Sequence, residues 1–118
     1  IAVWGLSFKP DTDDLREARS LVLVDSLLEA GCRVKVFDPV AMDNARAIYG
    51  DKLIYTHNIY EAATDADALA VVTEWKEFRL PAWTTLQRVM RGRVIADGRN
   101  IYNGDTLREL GFTYYKIG

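Results

Sequence analysis

Several ingredients are scarce in these 118 residues. A single cysteine excludes an internal disulfide and accords with a reducing compartment. Cys32 and the lone His57 offer no second ligand at metal spacing, and one histidine builds neither a Ser-His-Asp nor a Cys-His arrangement. No metal is therefore expected; acid–base work by the many carboxylates stays open, but the sequence selects no pair, and no catalytic residue is named. No apolar run nears the roughly 20 residues that cross a bilayer, and no charged segment precedes an apolar one as in a signal peptide. The expected location is cytoplasmic, without a membrane partner. Fifteen Lys and Arg against seventeen Asp and Glu give a formal charge of -2, which lacks the basic field of a nucleic-acid binder. A local anion site built from a few arginines remains open, and with it a small phosphorylated ligand. The length holds one domain and rules out two full ones. Because Ile1 opens directly on an apolar strand with no initiator Met, the chain is expected to be a piece of a longer protein.

What is present is an alternation of short apolar runs with segments of helical spacing, the pattern of βα units on a mostly parallel sheet. Six strands are expected at 1–6, 33–37, 53–56, 68–72, 93–96 and 112–117. The fourth, wholly apolar, suits a central position covered on both faces. Ser20 is expected to cap a helix whose apolar positions Leu21, Val24, Leu27 and Leu28 form one face and which Gly31 stops. Further helices are expected at 41–48, 58–63, 81–90 with Pro81 in the first turn, and 105–110. No internal repeat, Ser/Gly linker or biased tract interrupts the series. The fold class is α/β: a single Rossmann-like, doubly wound domain on a six-stranded sheet.

Ligands of such sheets sit beyond the C-terminal strand ends, which singles out four loops. The one after the first strand, Ser7 to Arg19, lacks the G-x-G-x-x-G of a dinucleotide turn and is about a dozen residues long, so a tightly cradled pyrophosphate is disfavoured. It presents Lys9 and Arg16 among Asp11, Asp13 and Asp14, which can hold turns through side chain to backbone bonds. Lys9 reads either as a solvated loop lysine or as a cation for phosphate or sugar oxygens, and Arg16 either as a loop-organising ion pair or as a ligand contact. Asp38 ends the second strand where Rossmann folds place a ribose-binding acid, yet Asp38-Pro39 is equally a turn. After the fifth strand, Gly98 permits close backbone approach and Arg99 would project over the same edge as Lys9. Trp75 in the neighbouring loop could cover a ligand base or simply pack. Cys32, at the entry of the second strand, is expected to be a small buried hydrophobe away from that edge.

Three stretches resemble a known family. Gly5 to Ala18 (GLSFKPDTDDLREA), Thr73 to Phe78 (TEWKEF) and Asp97 to Tyr102 (DGRNIY) are similar, in order and spacing, to the motifs of the C-terminal UDP-binding domain of UDP-glucose 6-dehydrogenases. The resemblance spans essentially residues 1–118, and the Thr-Glu-Trp segment favours UDP-glucose over GDP-mannose or UDP-N-acetylmannosamine. It implies an NAD-dependent oxidation of the sugar C6 alcohol to a carboxylate, giving UDP-glucuronate in two hydride transfers through a thiohemiacetal and a thioester. It also implies that Phe8, Lys9 and Arg99 contact the UDP-sugar, that Arg16 approaches NAD, and that the full-length protein is a homodimer or larger. The family's nucleophilic cysteine and glycine-rich NAD turn have no match here, and Cys32 corresponds to neither, so the fragment alone is expected to be inactive. The rival class is a non-catalytic module of flavodoxin or receiver type. A receiver's acidic cluster is missing after the first strand, which ends in Leu6 and Ser7, and its aspartate after the third, which ends in Thr56 and His57.

Overall fold

The computed structural model describes residues 1–7 and 19–116. Within them, strands β1 (Ala2–Trp4), β2 (Lys35–Phe37), β3 (Ile54–Tyr55), β4 (Ala68–Val71), β5 (Val94–Asp97) and β6 (Thr113–Lys116) form one sheet in the order β3-β2-β1-β4-β5-β6. Every pairing is parallel, with Val3 opposite Val36 on one side and Ala70 on the other. The chain thus winds outward from β1 in one direction and from β4 in the other, and the order reverses between them. A reversal of this kind opens a crevice at the C-terminal strand ends.

Strand alternation divides the core. Ala2 and Trp4 point to the face covered by α3 (Ile59–Ala63), α4 (Lys76–Arg79), α5 (Trp83–Val89) and α6 (Gly104–Glu109), where Phe78, Leu86 and Leu107 are buried. Val3 points to the opposite face, against α1 (Arg19–Glu29) and α2 (Met42–Tyr49), with Val24 and Ala45. β4 is central as its composition suggests, with Leu69 and Val71 fully buried. Trp4 is the largest fully buried side chain; its ring lies 5.6 Å from that of Phe78, and its indole N–H donates to the Ile59 carbonyl at 3.0 Å. The second contact satisfies the only polar atom of an otherwise apolar group.

α1 buries the face expected of it: Leu21, Val24, Leu27 and Leu28 all pack into one cluster. It ends in a Schellman arrangement, the Cys32 N–H on the Leu27 carbonyl and the Gly31 N–H on that of Leu28, which requires the left-handed φ of +82° at Gly31. Ser20 does not cap this helix. It lies inside it, and its hydroxyl donates to the Leu6 carbonyl at the end of β1. Pro81 falls outside α5, because the Ala82 N–H is drawn to the Tyr60 hydroxyl and the chain stays extended there. α6 starts one residue early because the Asn103 side chain accepts from the N–H groups of Asp105 and Thr106. Helix α4 and a 3-10 turn at Gly50–Lys52 were not expected from the sequence.

Candidate functional site

Two buried aspartates organise the C-terminal edge of the sheet. Asp38, 1 % exposed, follows β2. One of its oxygens accepts from the N–H groups of Val40 and Ala41, both at 2.9 Å, closing the Asp38-Pro39 turn on itself. The other reaches across to β1, accepting from the Leu6 and Ser7 N–H groups at 2.8 and 3.2 Å and from the Ser7 hydroxyl at 3.3 Å. The indole N–H of Trp75 approaches the same oxygen at 3.4 Å. A ribose-binding acid needs lone pairs facing a ligand, and here both oxygens serve the protein's own loops. Of the two readings of Asp38, the structure supports the turn.

Asp97, fully buried at the end of β5, does the same for the next loop. One oxygen accepts from the Arg99 N–H at 3.0 Å; the other accepts from the N–H groups of Ile101 and Tyr102 at 2.8 and 3.0 Å and from the Tyr114 hydroxyl at 2.8 Å. Burial first, and then this bond to Asp97, push the Tyr114 phenol up to about 12. Burial raises Tyr102 as well, with the Asp97 charge adding to it.

Between the two lies the end of β4. Thr73, fully buried, donates its hydroxyl to the Ser7 carbonyl at 2.8 Å and so ties the β4 loop to the β1 loop. The approach is close enough that a Cβ on Gly5, whose φ is +95°, would sit 2.5 Å from the Thr73 Cβ. Gly98 approaches β4 from the other side, its N–H on the Val71 carbonyl at 2.8 Å. Arg99 then leans across the same strand end: its Nε donates to the Val72 carbonyl at 3.0 Å and lies 3.5 Å from a Glu74 carboxylate oxygen. Both side chains keep about a third of their surface exposed (32 and 34 %). Glu77, one turn on, has its carboxyl raised by desolvation and by the Asp38 charge.

The structure thus brings Arg99, Trp75, Asp38 and the β1 stem into one region beside the β1/β4 reversal. Phe8, Lys9 and Arg16, with Asp11, Asp13 and Asp14, lie outside the described residues, and the edge is known through Ser7 and the residues after β2, β4 and β5. Trp75 packs against the larger core cluster, as the packing reading has it, and also bonds Asp38. Cys32 is half-buried rather than buried: it lines a cavity of about 380 Å³ with Ile1, Lys35, Thr64 and Arg91, and does sit at the opposite end of the sheet. His57 is exposed and paired with Glu61 at 3.2 Å. Among the described residues no group of three or more His, Cys, Asp or Glu could hold a metal ion, and no helix is long and apolar enough to cross a membrane.

Sequence reasoning did not foresee Asp97 as an organiser, Thr73 as a tie or Glu74 as the partner of Arg99. A signal for the first was available: an acid ends β5 as one follows β2, and each is followed by a turn-forming Pro or Gly.

The model of the UDP binding domain of the UDP-glucose/GDP-mannose dehydrogenase family matches residues 2–104. The whole chain is 47 % identical to part of a UDP-glucose 6-dehydrogenase from Pseudomonas aeruginosa and 44 % identical to part of one from Rhizobium meliloti, covering 27 % of each. Among solved structures, 98 % of it superposes on 24 % of an NDP-N-acetyl-D-galactosaminuronic acid dehydrogenase from Methanosarcina mazei, with a TM-score of 0.84 at 30 % identity. A UDP-glucose dehydrogenase from Pyrobaculum islandicum matches to the same extent, with a TM-score of 0.76 at 34 % identity. The chain spans about a quarter of the length of the relatives it matches.

Proposed function

Since the chain belongs to the UDP binding domain family of the UDP-glucose/GDP-mannose dehydrogenases, we propose that residues 1–118 form the C-terminal, UDP-sugar-binding domain of a UDP-glucose 6-dehydrogenase. One observation carries the reading most directly. Arg99, a fixed cation with a planar donor set, stands at the C-terminal edge beside the sheet's reversal point, where a doubly wound fold receives its ligand. Guanidinium and diphosphate match in charge and in hydrogen-bond geometry. In this reading Phe8 and Lys9 join Arg99 in contacting the UDP-sugar, Lys9 as a second cation. Trp75 borders the same region.

The whole enzyme's cofactor in this reading is NAD, the hydride acceptor for the C6 alcohol. The described edge of this chain does not fit that dinucleotide, because Asp38 has spent its oxygens internally and no G-x-G-x-x-G follows β1. NAD belongs to a domain outside these residues, with Arg16 approaching it across the cleft, and the nucleophile also lies outside. The assembled protein is a cytoplasmic homodimer or larger, serving polysaccharide biosynthesis.

Calorimetric titration of the full-length protein with UDP tests the site. Arg99→Ala is expected to weaken binding about tenfold or more, equivalent to about 1.4 kcal/mol, and unchanged affinity would refute the placement. The 118-residue chain given NAD and UDP-glucose is expected to form no NADH; turnover by it alone would overturn the division of labour.

A further inference from the structure

We propose that Glu74 is a positioning residue for Arg99, holding the guanidinium plane in the orientation that a diphosphate requires. The inference rests on the reading of Arg99 as a ligand contact and adds a residue to it. Arg99 is held at both ends. Its backbone N–H is bound by Asp97 at 3.0 Å, and its loop is pressed onto β4 by the Gly98 contact with Val71. At the tip, Nε donates to the Val72 carbonyl at 3.0 Å while a Glu74 oxygen lies 3.5 Å from the same nitrogen. The Nε–H bond lies in the guanidinium plane, so its one hydrogen on the Val72 carbonyl, with the Glu74 carboxylate drawn up beside the same nitrogen, restricts rotation of the whole plane. The Val72 carbonyl is neutral and belongs to the backbone; Glu74 adds the attraction of an opposite charge beside the same nitrogen.

A carboxylate beside an anion-binding arginine has two effects of opposite sign. It subtracts positive charge from the site, which weakens anion binding, and it removes rotational freedom that the ligand would otherwise have to freeze, which strengthens it. With about a third of each side chain exposed, solvent screens the longer-range repulsion between Glu74 and a bound anion more strongly than the 3.5 Å contact that holds Arg99. Orientation therefore wins. The pair also joins the β4 loop to the β5 loop, so the neighbouring Trp75, bonded to Asp38, shares the same support.

The test is a double-mutant cycle in the full-length enzyme, read by UDP calorimetry and steady-state kinetics. Glu74→Ala is expected to weaken UDP binding about five- to tenfold and to raise KM for the UDP-sugar more than it lowers kcat. Glu74→Gln, which keeps the side chain's size but loses its charge, is expected to recover only a small part of the loss, and Glu74→Asp, which keeps the charge, more of it. In an Arg99→Ala background, Glu74→Ala is expected to cost nothing further. Equal or tighter UDP binding by Glu74→Ala, or an undiminished loss in the Arg99→Ala background, would overturn the positioning role. If Arg99→Ala itself leaves UDP affinity unchanged, the placement of the site fails; if it weakens binding while Glu74→Ala does not, only the positioning role does.

Discussion

Asp38 and Asp97 hold equivalent posts on opposite sides of the sheet's reversal point: each is buried at the C-terminal end of its strand, each accepts hydrogen bonds through both oxygens, and each binds backbone N–H groups of the loop that follows. Asp38 also reaches sideways to the β1 stem, and Asp97 to Tyr114 on β6. The acid at the end of β2, which elsewhere in doubly wound folds faces a ribose, is here, like Asp97, a fastening of the edge.

Removing such a fastening strands several donors at once. Asp38→Ala leaves the N–H groups of Leu6, Ser7, Val40 and Ala41 without their acceptor, and a loss of about 3 kcal/mol or more is expected in chemical denaturation. Asp38→Asn keeps one accepting oxygen and turns an NH2 group toward the other donors, so it is expected to fall between wild type and Ala.

Glycines in left-handed backbone should differ sharply in their tolerance of a methyl group. Gly31→Ala meets nothing within 4 Å and is expected to cost about 1 kcal/mol, the strain of its φ alone. Gly5→Ala adds a contact of 2.5 Å with Thr73 and 2.8 Å with its backbone nitrogen. An expected cost above about 3 kcal/mol, with a loss of UDP affinity in the same variant, would separate the two; equal melting temperatures would contradict the close approach of the β1 and β4 loops.

Alkaline pH should loosen the β5 to β6 junction. Tyr114 donates to Asp97 only while protonated, and its phenol is raised from 10.0 to about 12, first by burial and then by that bond. A raised folded value means that the stabilisation is whole below pH 10 and is lost as pH rises toward 12. Tyr49, Tyr55 and Tyr102 are raised too, so wild type alone sums several groups. The difference between wild type and Tyr114→Phe isolates one: the variant's stability is expected to decline less steeply across that window.

Cys32 provides a control at the far end of the sheet. Cys32→Ser, or alkylation of this half-buried thiol, is expected to leave UDP affinity unchanged, because Cys32 enters β2 while the proposed UDP site lies beyond the strands' other ends. A calorimetric Kd altered more than about threefold would mean that the ligand lies elsewhere.

The architecture was legible because strand and helix periods are properties of local residue order: the wholly apolar β4 announced its central place, and Gly31 announced the end of α1. Boundaries strayed where a distant partner decided them. Ser20 looks like a cap until the Leu6 carbonyl claims its hydroxyl, and Ala82 looks helical until the Tyr60 hydroxyl holds it extended. Arg99 was legible as a cation on the right edge because its position after β5 follows from the βα alternation. Glu74 was not: its loop is expected beside that of Arg99, but which of its side chains reaches the guanidinium depends on how β4 and β5 register, which local residue order does not carry.

That dependence has a kinetic side. Parallel neighbours are never joined by a tight turn: β1 pairs with β2 more than thirty residues on and with β4 more than sixty on. Contacts of such long loop length form slowly and late. The ties from Asp38 to Leu6 and from Thr73 to Ser7 join residues far apart in sequence, so the edge they build is expected to form late. A ligand bound at that edge, as proposed, is expected by mass action to protect the whole domain against unfolding rather than its own loops alone.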